Sequence, residues 1–151
     1  LSRLRVATPV VLPIPVGPKP LTRYLEKLQL LHETPSFLLM GLCGSLTPSH
    51  SVGDIVLYQS CVQRLDGETE ELSTSSSAGT LAIEKNCDRH LTTKIYALIP
   101  QKAAFVKGLA SDRVVHSAAQ KRHLAQLYEA DVVDMEGFAA LDFLSKSGIA
   151  V

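Results

Sequence analysis

The sequence predicts an α/β protein of three layers, α/β/α, with a mixed and largely parallel central sheet. Short aliphatic runs alternate along the chain with stretches of helical periodicity, which is the order of elements in a largely parallel sheet. The chain is 46% hydrophobic and 20% charged, a composition typical of a globular protein. Its 151 residues predict a single domain over residues 1–151.

The first half of the chain predicts one helix and several extended segments. Residues 5–16 are aliphatic but rich in proline, which cannot donate to a sheet ladder, so we expect an edge strand or extended chain. Residues 17–20 predict a loop, and the apolar spacing over 21–32 predicts a helix. The apolar run 36–40 predicts a buried strand, and 55–58 predicts another strand.

The second half alternates between strands and helices more regularly. A polar, serine-rich stretch comes first and is typical of a surface loop. The predicted order is a loop over 65–79, a helix near 81–91, a strand over 103–109, a helix over 117–128, a strand at 132–133 and a helix over 135–146.

Composition excludes several classes of function. Fifteen basic and fifteen acidic residues give a net charge of zero, whereas a nucleic-acid-binding domain usually carries a basic excess. No window approaches the roughly 18 apolar residues of a membrane span. The three cysteines form no C-x-x-C pair, which argues against a disulfide framework or a structural zinc site. We therefore expect free buried thiols and a cytoplasmic protein without a metal.

Both ends of the sequence indicate a piece of a longer chain. The first residue is Leu1 rather than methionine, and the last four residues, 148–151, form an apolar run of the kind that opens a buried strand. We expect the domain to be incomplete at both termini.

Two segments carry residues suited to binding a ligand. Residues 41–46 (GLCGSL) follow a predicted buried strand, where glycines let backbone N–H groups approach a ligand closely. The alternative is a tight turn. Residues 134–137 (DMEG) lie between a strand and a helix, where a carboxylate can hold the two hydroxyls of a ribose. The alternative is that Asp134 caps the helix and Glu136 suits its positive end.

A third segment and the histidines are less informative. Residues 108–115 predict a strand that ends in a polar turn, which Ser111 or Asp112 could simply shape. The histidines at 90, 116 and 123 lie among polar residues and predict a surface position. No His-x₃-His pair occurs, so metal ligation has no support in the sequence.

In combination these segments resemble the nucleoside phosphorylase/nucleosidase superfamily, which includes purine nucleoside and uridine phosphorylases and methylthioadenosine/S-adenosylhomocysteine nucleosidases. Residues 41–46 and the VGDIV of 52–56 are similar to the family's first signature, and the VDMEGFAA of 133–140 is similar to its second. Residues 110–115 resemble the segment that borders the base. The resemblance spans residues 10–151.

The resemblance implies substrate contacts from both signatures and from the segment between them. Glu136 would hold the ribose hydroxyls and Met135 would pack on the sugar. The backbone at Val115 would face the base edge, and Val114 stands where many members stack an aromatic ring. The remaining implied contacts, in the turn that borders the ribose and the attacking nucleophile, are Leu42, Cys43 and Gly44.

The implied reaction is cleavage of the N-glycosidic bond of a nucleoside, with a purine nucleoside or a 5′-substituted adenosine favoured. Family phosphorylases tend to grip phosphate where this chain has Met40 and Leu42, so water is favoured as the acceptor and phosphate stays a possible co-substrate. The resemblance implies no other cofactor, a homo-oligomer, and a general-acid aspartate beyond Val151. The alternative is a non-catalytic nucleoside-binding or scaffold domain derived from the same family.

Overall fold

The computed structural model of the protein describes residues 10–28, 36–64, 82–99 and 102–151. Helices and strands are interspersed along the described chain and alternate one by one from residue 82 onward, which confirms the α/β prediction. They are α1 (Pro18–Lys27), β1 (Gly44–Ser45), β2 (Ile55–Arg64), β3 (Ala82–Asn86), α2 (Arg89–Leu98), β4 (Ala103–Ala110), α3 (Ala118–Tyr128), β5 (Val132–Asp134) and α4 (Gly137–Lys146).

The five strands form one mixed sheet in the order β1-β5-β4-β2-β3. The three central strands run parallel, while β1 and β3 are antiparallel to their neighbours. The registers place Gln63, Ala110 and Asp134 side by side at the carboxyl ends of β2, β4 and β5. We call this end of the sheet the carboxyl edge. It is where ligands bind in open α/β sheets.

Alternate residues of the central strands face two helical layers, as the period of a strand requires. On one face, Cys61 packs against Phe138 and Leu141 of α4. On the other, Val62 and Leu109 form a buried cluster with residues of α3 and its flanks. Burying each such side chain contributes about 1.5–3 kcal/mol. The two clusters give the predicted three-layer arrangement.

Helix α1 is held on the outside of α4 and begins earlier than predicted. Leu21 and Leu25 are buried in a cluster with Ala140 and Leu144. The loop predicted over 17–20 is wrong, because α1 starts at Pro18. Proline lacks the N–H that the first helical turn leaves unpaired, and its φ suits the helix start. Residues 29–32 of the predicted helix lie outside the described residues.

The helix predicted near residues 81–91 is wrong over its first half. Residues 82–86 form β3, which pairs antiparallel with β2, and α2 begins only at Arg89. The Asp88 side chain caps α2 by accepting a hydrogen bond from the backbone N–H of Leu91 at 2.7 Å. Tertiary pairing with a long neighbouring strand therefore overrides the local preference.

The buried strand predicted over residues 36–40 is also wrong. Ser36 makes an isolated parallel bridge with Ala150, and no described strand pairs along the rest of this run. Leu38 and Met40 are 52% and 80% exposed. An apolar run becomes a buried strand only where neighbours pair with it on both sides.

The remaining predictions have mixed outcomes. Residues 10–16 belong to no helix or strand, and residues 5–9 and the loop predicted over 65–79 fall outside the described residues. The strand predicted at 55–58 continues to Arg64. Those predicted at 103–109 and 132–133 are confirmed, as are the helices at 117–128 and 135–146 apart from their first one or two residues. Of the described helices, none has the length and apolar character needed to cross a membrane.

Candidate functional site

The three segments singled out in the sequence meet at the carboxyl edge. Gly44 of β1 pairs with Val133 of β5, which brings the first signature beside the second. Ser111, directly after β4, donates its backbone N–H to the carbonyl of Asp134 at 2.8 Å. Strand β5 therefore lies between the other two segments and joins them.

Glu136 lies where two helices begin. It is the residue before α4, and its side-chain oxygen accepts a hydrogen bond from the backbone N–H of Gly17, the residue before α1. Helix N-termini carry partial positive charge, so both favour an anionic group between them. The contact orients the carboxylate at the carboxyl edge, 119 positions from its partner in sequence.

Asp134 performs the capping role that the sequence left open. Its Oδ1 accepts a hydrogen bond from the backbone N–H of Gly137 at 3.1 Å, whereas the Glu136 side chain makes no capping bond to α4. Burial raises the pKa of Asp134, and the charge of Glu136 raises it further. The Gly137 N–H and the phenol of Tyr58 act in the opposite direction. The two acidic residues of this turn therefore have different roles.

The turn from the first signature is open by comparison. Leu42 is 99% exposed, and Cys43 is also exposed, which makes the prediction of buried thiols wrong for Cys43 although Cys61 is buried. Cys43 follows a run that pairs with no described strand, so no neighbouring strand covers it. Partial shielding nevertheless raises the pKa of the Cys43 thiol. Gly44 is half-buried against β5.

The segment after β4 has one buried and one exposed valine. Val115 is only 6% exposed, and its side chain packs in the cluster with Leu46 and Leu109. Val114 is 63% exposed. Ser111 shapes the turn, as the simpler interpretation held, by donating its hydroxyl to a carbonyl two residues on at 2.7 Å.

A cavity of about 530 Å³ lies beside this site and contains none of the predicted contact residues. Part of its wall is formed by Pro18, which directly follows Gly17, and by Phe138, which lies two residues after Glu136. Basic, acidic and aromatic side chains line the rest. They are Lys19, Thr22, Arg23, Gln63, Ala139, Asp142, Phe143, Lys146 and Ser147.

Sequence reasoning missed two residues of this site. Gly17 was assigned to a loop, although a glycine before a Pro-x-Pro segment is a pattern that can precede a helix. Tyr58 was read as an ordinary strand residue. Its only signal was indirect: Gly108, a glycine inside a strand, indicates a close approach by another group. Within the described ranges, no group of three or more His, Cys, Asp or Glu side chains is arranged to hold a metal ion.

Comparisons with known proteins place this geometry in context. A sequence model of the phosphorylase superfamily matches residues 2–151. No curated protein shows significant similarity to the chain.

Several solved structures share the fold. A 5′-methylthioadenosine/S-adenosylhomocysteine nucleosidase from Helicobacter pylori is 22% identical, with a TM-score of 0.71 over 89% of this chain and 60% of the nucleosidase. A futalosine hydrolase mutant from the same organism is 20% identical, with a TM-score of 0.72 over 89% and 63%. The Campylobacter jejuni nucleosidase is 15% identical, with a TM-score of 0.71 over 89% and 60%. This chain therefore spans about three-fifths of the length of the proteins it resembles.

Proposed function

The chain belongs to the phosphorylase superfamily, and we propose that it cleaves the N-glycosidic bond of a nucleoside and releases the free base. The favoured substrates are purine nucleosides and 5′-substituted adenosines. The observation that carries the proposal is the Glu136 carboxylate, held at the carboxyl edge by the N–H of Gly17. Structures of the same fold include nucleosidases and a hydrolase that act on such compounds.

The proposed role of Glu136 is to hold the ribose through its hydroxyls. A carboxylate can accept two hydrogen bonds at once and so matches two adjacent hydroxyls. When the bond between the sugar and the base breaks, its electrons leave with the base and positive charge develops on the sugar. A carboxylate already fixed near the sugar stabilises that charge without reorganising. Met135 would pack on the sugar, and the backbone of Val115 would face the base.

The turn at Leu42, Cys43 and Gly44 would border the acceptor. Leu42 and Met40 have no side-chain donor for an oxyanion, and both are exposed. Water as the acceptor needs no such side-chain donor, so hydrolysis is favoured over phosphorolysis. Phosphate stays the alternative acceptor, and we propose no organic cofactor.

The decisive experiment measures release of free base by the full-length protein with and without phosphate. The panel comprises adenosine, methylthioadenosine, S-adenosylhomocysteine, futalosine, inosine and uridine. Release without phosphate would identify a hydrolase, and release only with phosphate would identify a phosphorylase. We expect Glu136→Gln to lower kcat/KM by about a hundredfold, because it removes a carboxylate that binds the ribose. A loss of this size is typical of one electrostatic contact to the transition state.

Glu26→Gln is the matched control, because Glu26 lies exposed on α1 and the same charge is removed. We expect its kcat/KM to stay within twofold of the native value. Equal activity in Glu136→Gln and the native protein would contradict the site assignment. Tight nucleoside binding without any base release would instead support the alternative, a non-catalytic nucleoside-binding domain.

We also propose a cytoplasmic homo-oligomer. The three cysteines at 43, 61 and 87 are all free, as is usual in a reducing compartment. Large exposed apolar side chains, including Met40, Leu42 and Val52, are suited to a protein contact. Light scattering of the full-length protein tests the oligomer, and a monomer at micromolar concentration would contradict it.

A further inference from the structure

Tyr58 lies in an unusual place in the sheet. The ladder between β2 and β4 shifts register between Tyr58 and Ser60, so Gln59 is an extra residue in β2. Such a bulge bends the strand and changes the direction of the neighbouring side chains. The Tyr58 ring lies directly over Gly108 of β4, where an added Cβ would be 2.3 Å from Cε2 of the ring. Only glycine at position 108 leaves room for the ring.

The Tyr58 hydroxyl lies in buried surroundings near acidic groups. Its oxygen is shielded from solvent and has no hydrogen bond of standard geometry in the described part of the chain. Burial is the main reason that the pKa of Tyr58 is raised, followed by the charges of Asp134 and Cys43. In turn, the Tyr58 phenol lowers the pKa of Asp134. Gly108 and Ala110 face the same side of β4, and Ala110 pairs with Asp134 of β5, so the Tyr58 ring over Gly108 lies on the side of the sheet from which the Asp134 side chain projects.

A glycine also makes room on the far side of Asp134. A Cβ at Gly137 would be 2.6 Å from Oδ2 of Asp134, while Oδ1 accepts the Gly137 N–H. The Asp134 carboxyl thus contacts the start of α4 on the side of the sheet that also carries the Tyr58 ring. Two residues further on is Glu136. A shift of the Asp134 carboxyl would therefore act on the first turn of α4, which Glu136 directly precedes.

The hydroxyl distinguishes a functional contact from simple packing. A phenylalanine would fill the same space over Gly108 without bringing a polar atom into the interior. A buried hydroxyl without a partner costs about 1–3 kcal/mol. Asp134 is the carboxylate at hand that can relieve this cost, and a charge-assisted hydrogen bond is stronger than a neutral one.

We propose that Tyr58 is a positioning residue whose hydroxyl donates to the Asp134 carboxylate and thereby holds the turn from Asp134 to Glu136. Through that turn it orients the Glu136 carboxylate toward the sugar. This second step rests on the proposed function of Glu136. The first step concerns only the folded chain.

The first test is the stability of Tyr58→Phe, measured by urea unfolding of the full-length protein. If the hydroxyl donates to Asp134, the variant unfolds at a lower urea concentration than the native protein, and the loss is smaller in an Asp134→Asn background. If the hydroxyl has no partner, Tyr58→Phe is at least as stable as the native protein, which would overturn the proposal. Tyr96→Phe is the control, since Tyr96 is 41% exposed and stacks on Phe105 away from the carboxyl edge.

The second test uses the nucleoside of the panel that is cleaved fastest. Loss of one hydrogen bond should lower kcat/KM of Tyr58→Phe about fivefold. The double variant with Asp134→Asn should be no worse than Asp134→Asn alone, because both changes break one contact. Tyr96→Phe should stay within twofold of the native value. Unchanged activity in Tyr58→Phe, or losses that multiply in the double variant, would overturn the positioning role.

The two tests separate this proposal from the proposed function. A native protein that neither binds nor cleaves any nucleoside contradicts the proposed function and, with it, the orienting role toward the sugar. The unfolding measurements then still decide whether Tyr58 holds Asp134.

Discussion

The two halves of the candidate site differ in how firmly the fold holds them. The half around Asp134 and Glu136 is half-buried, bonded to two helix starts and packed against glycines that leave no spare room. The half around Leu42 is exposed, and a Cβ added at Gly41 would meet nothing within 4 Å. The difference indicates that the half around Asp134 and Glu136 is preorganised, while the half around Leu42 is free to vary without disturbing the fold.

The largest expected effect comes from adding one methyl group to the packed half. Gly108→Ala places a Cβ within 3 Å of three Tyr58 ring atoms, so the buried ring must move. Overpacking of this kind costs about 1–3 kcal/mol, and we expect the upper end, about 3 kcal/mol, in the free energy of unfolding from urea titration.

Gly41→Ala is the matched change in the open half, where the added methyl group meets open space. Its free energy of unfolding should change by less than about 0.5 kcal/mol. Equal losses in Gly108→Ala and Gly41→Ala would show that the two halves are packed alike.

A second prediction concerns pH and the buried Asp134. Burial raises its pKa above the ordinary 3.8, so ionising it in the folded state costs stability that the unfolded chain does not lose. The contribution of Asp134 to the stability of the folded state is therefore fully present below pH 3.8 and is lost as the pH rises through the folded-state pKa of its carboxyl. Asparagine keeps the acceptor for the Gly137 N–H but cannot ionise.

The free energy of unfolding of Asp134→Asn should therefore increase relative to that of the native protein as the pH rises from about 4 to 7, when both are measured at each pH. The groups that act on this carboxyl are Tyr58 and Glu136, and it acts in turn on Cys43 and Cys61. A difference in unfolding free energy between Asp134→Asn and the native protein that stays constant over this range would mean that the Asp134 carboxyl is as accessible to solvent as the side chains of the open half.

A third prediction uses the cysteines as reporters of the two halves. Cys43 is exposed, whereas Cys61 is 1% exposed and burial raises its pKa strongly. Iodoacetamide at pH 8 should therefore label Cys43 about a hundredfold faster than Cys61, which reacts only when the structure opens. Peptide mapping by mass spectrometry assigns the label. Rapid labelling of Cys61 would contradict a closed packed half.

The smallest effect is expected for Leu42→Ser in the open half. Leu42 is 99% exposed, so its replacement removes almost no buried surface, and the free energy of unfolding should change by less than about 0.5 kcal/mol. A loss above 1 kcal/mol in calorimetry of the full-length protein would mean that this turn is covered in the assembled molecule.

Much of the fold could be predicted because its elements have local signals. The strand at 103–110 is a bounded apolar run, and α3 follows Ser117, whose side chain accepts from the Gln120 N–H as an N-cap. The strand at 82–86 could not be predicted from local signals, because it forms by pairing with the distant strand β2. This pairing overrides the local preference of the segment.

The candidate site divides in the same way. Glu136 and the turn at 42–44 were named from motifs, because an acid or a glycine at the end of a strand has a recognisable position in the sequence. Gly17 and Tyr58 could not be named, because the hydrogen bond from Gly17 to Glu136 crosses most of the chain and the placement of Tyr58 depends on a bulge in β2.

The amino-acid sequence was sufficient to predict the class of the fold, the family and the strand ends at which the candidate residues lie. These follow from periodicity and from short motifs, which are local properties of the chain. The three-dimensional packing was needed to establish that the half-buried Asp134 caps α4, that Glu136 accepts a hydrogen bond at the start of α1, and that Leu42 stays exposed. The physical reason is that burial and hydrogen-bond partners depend on which distant segments pack together, and no local pattern encodes that packing.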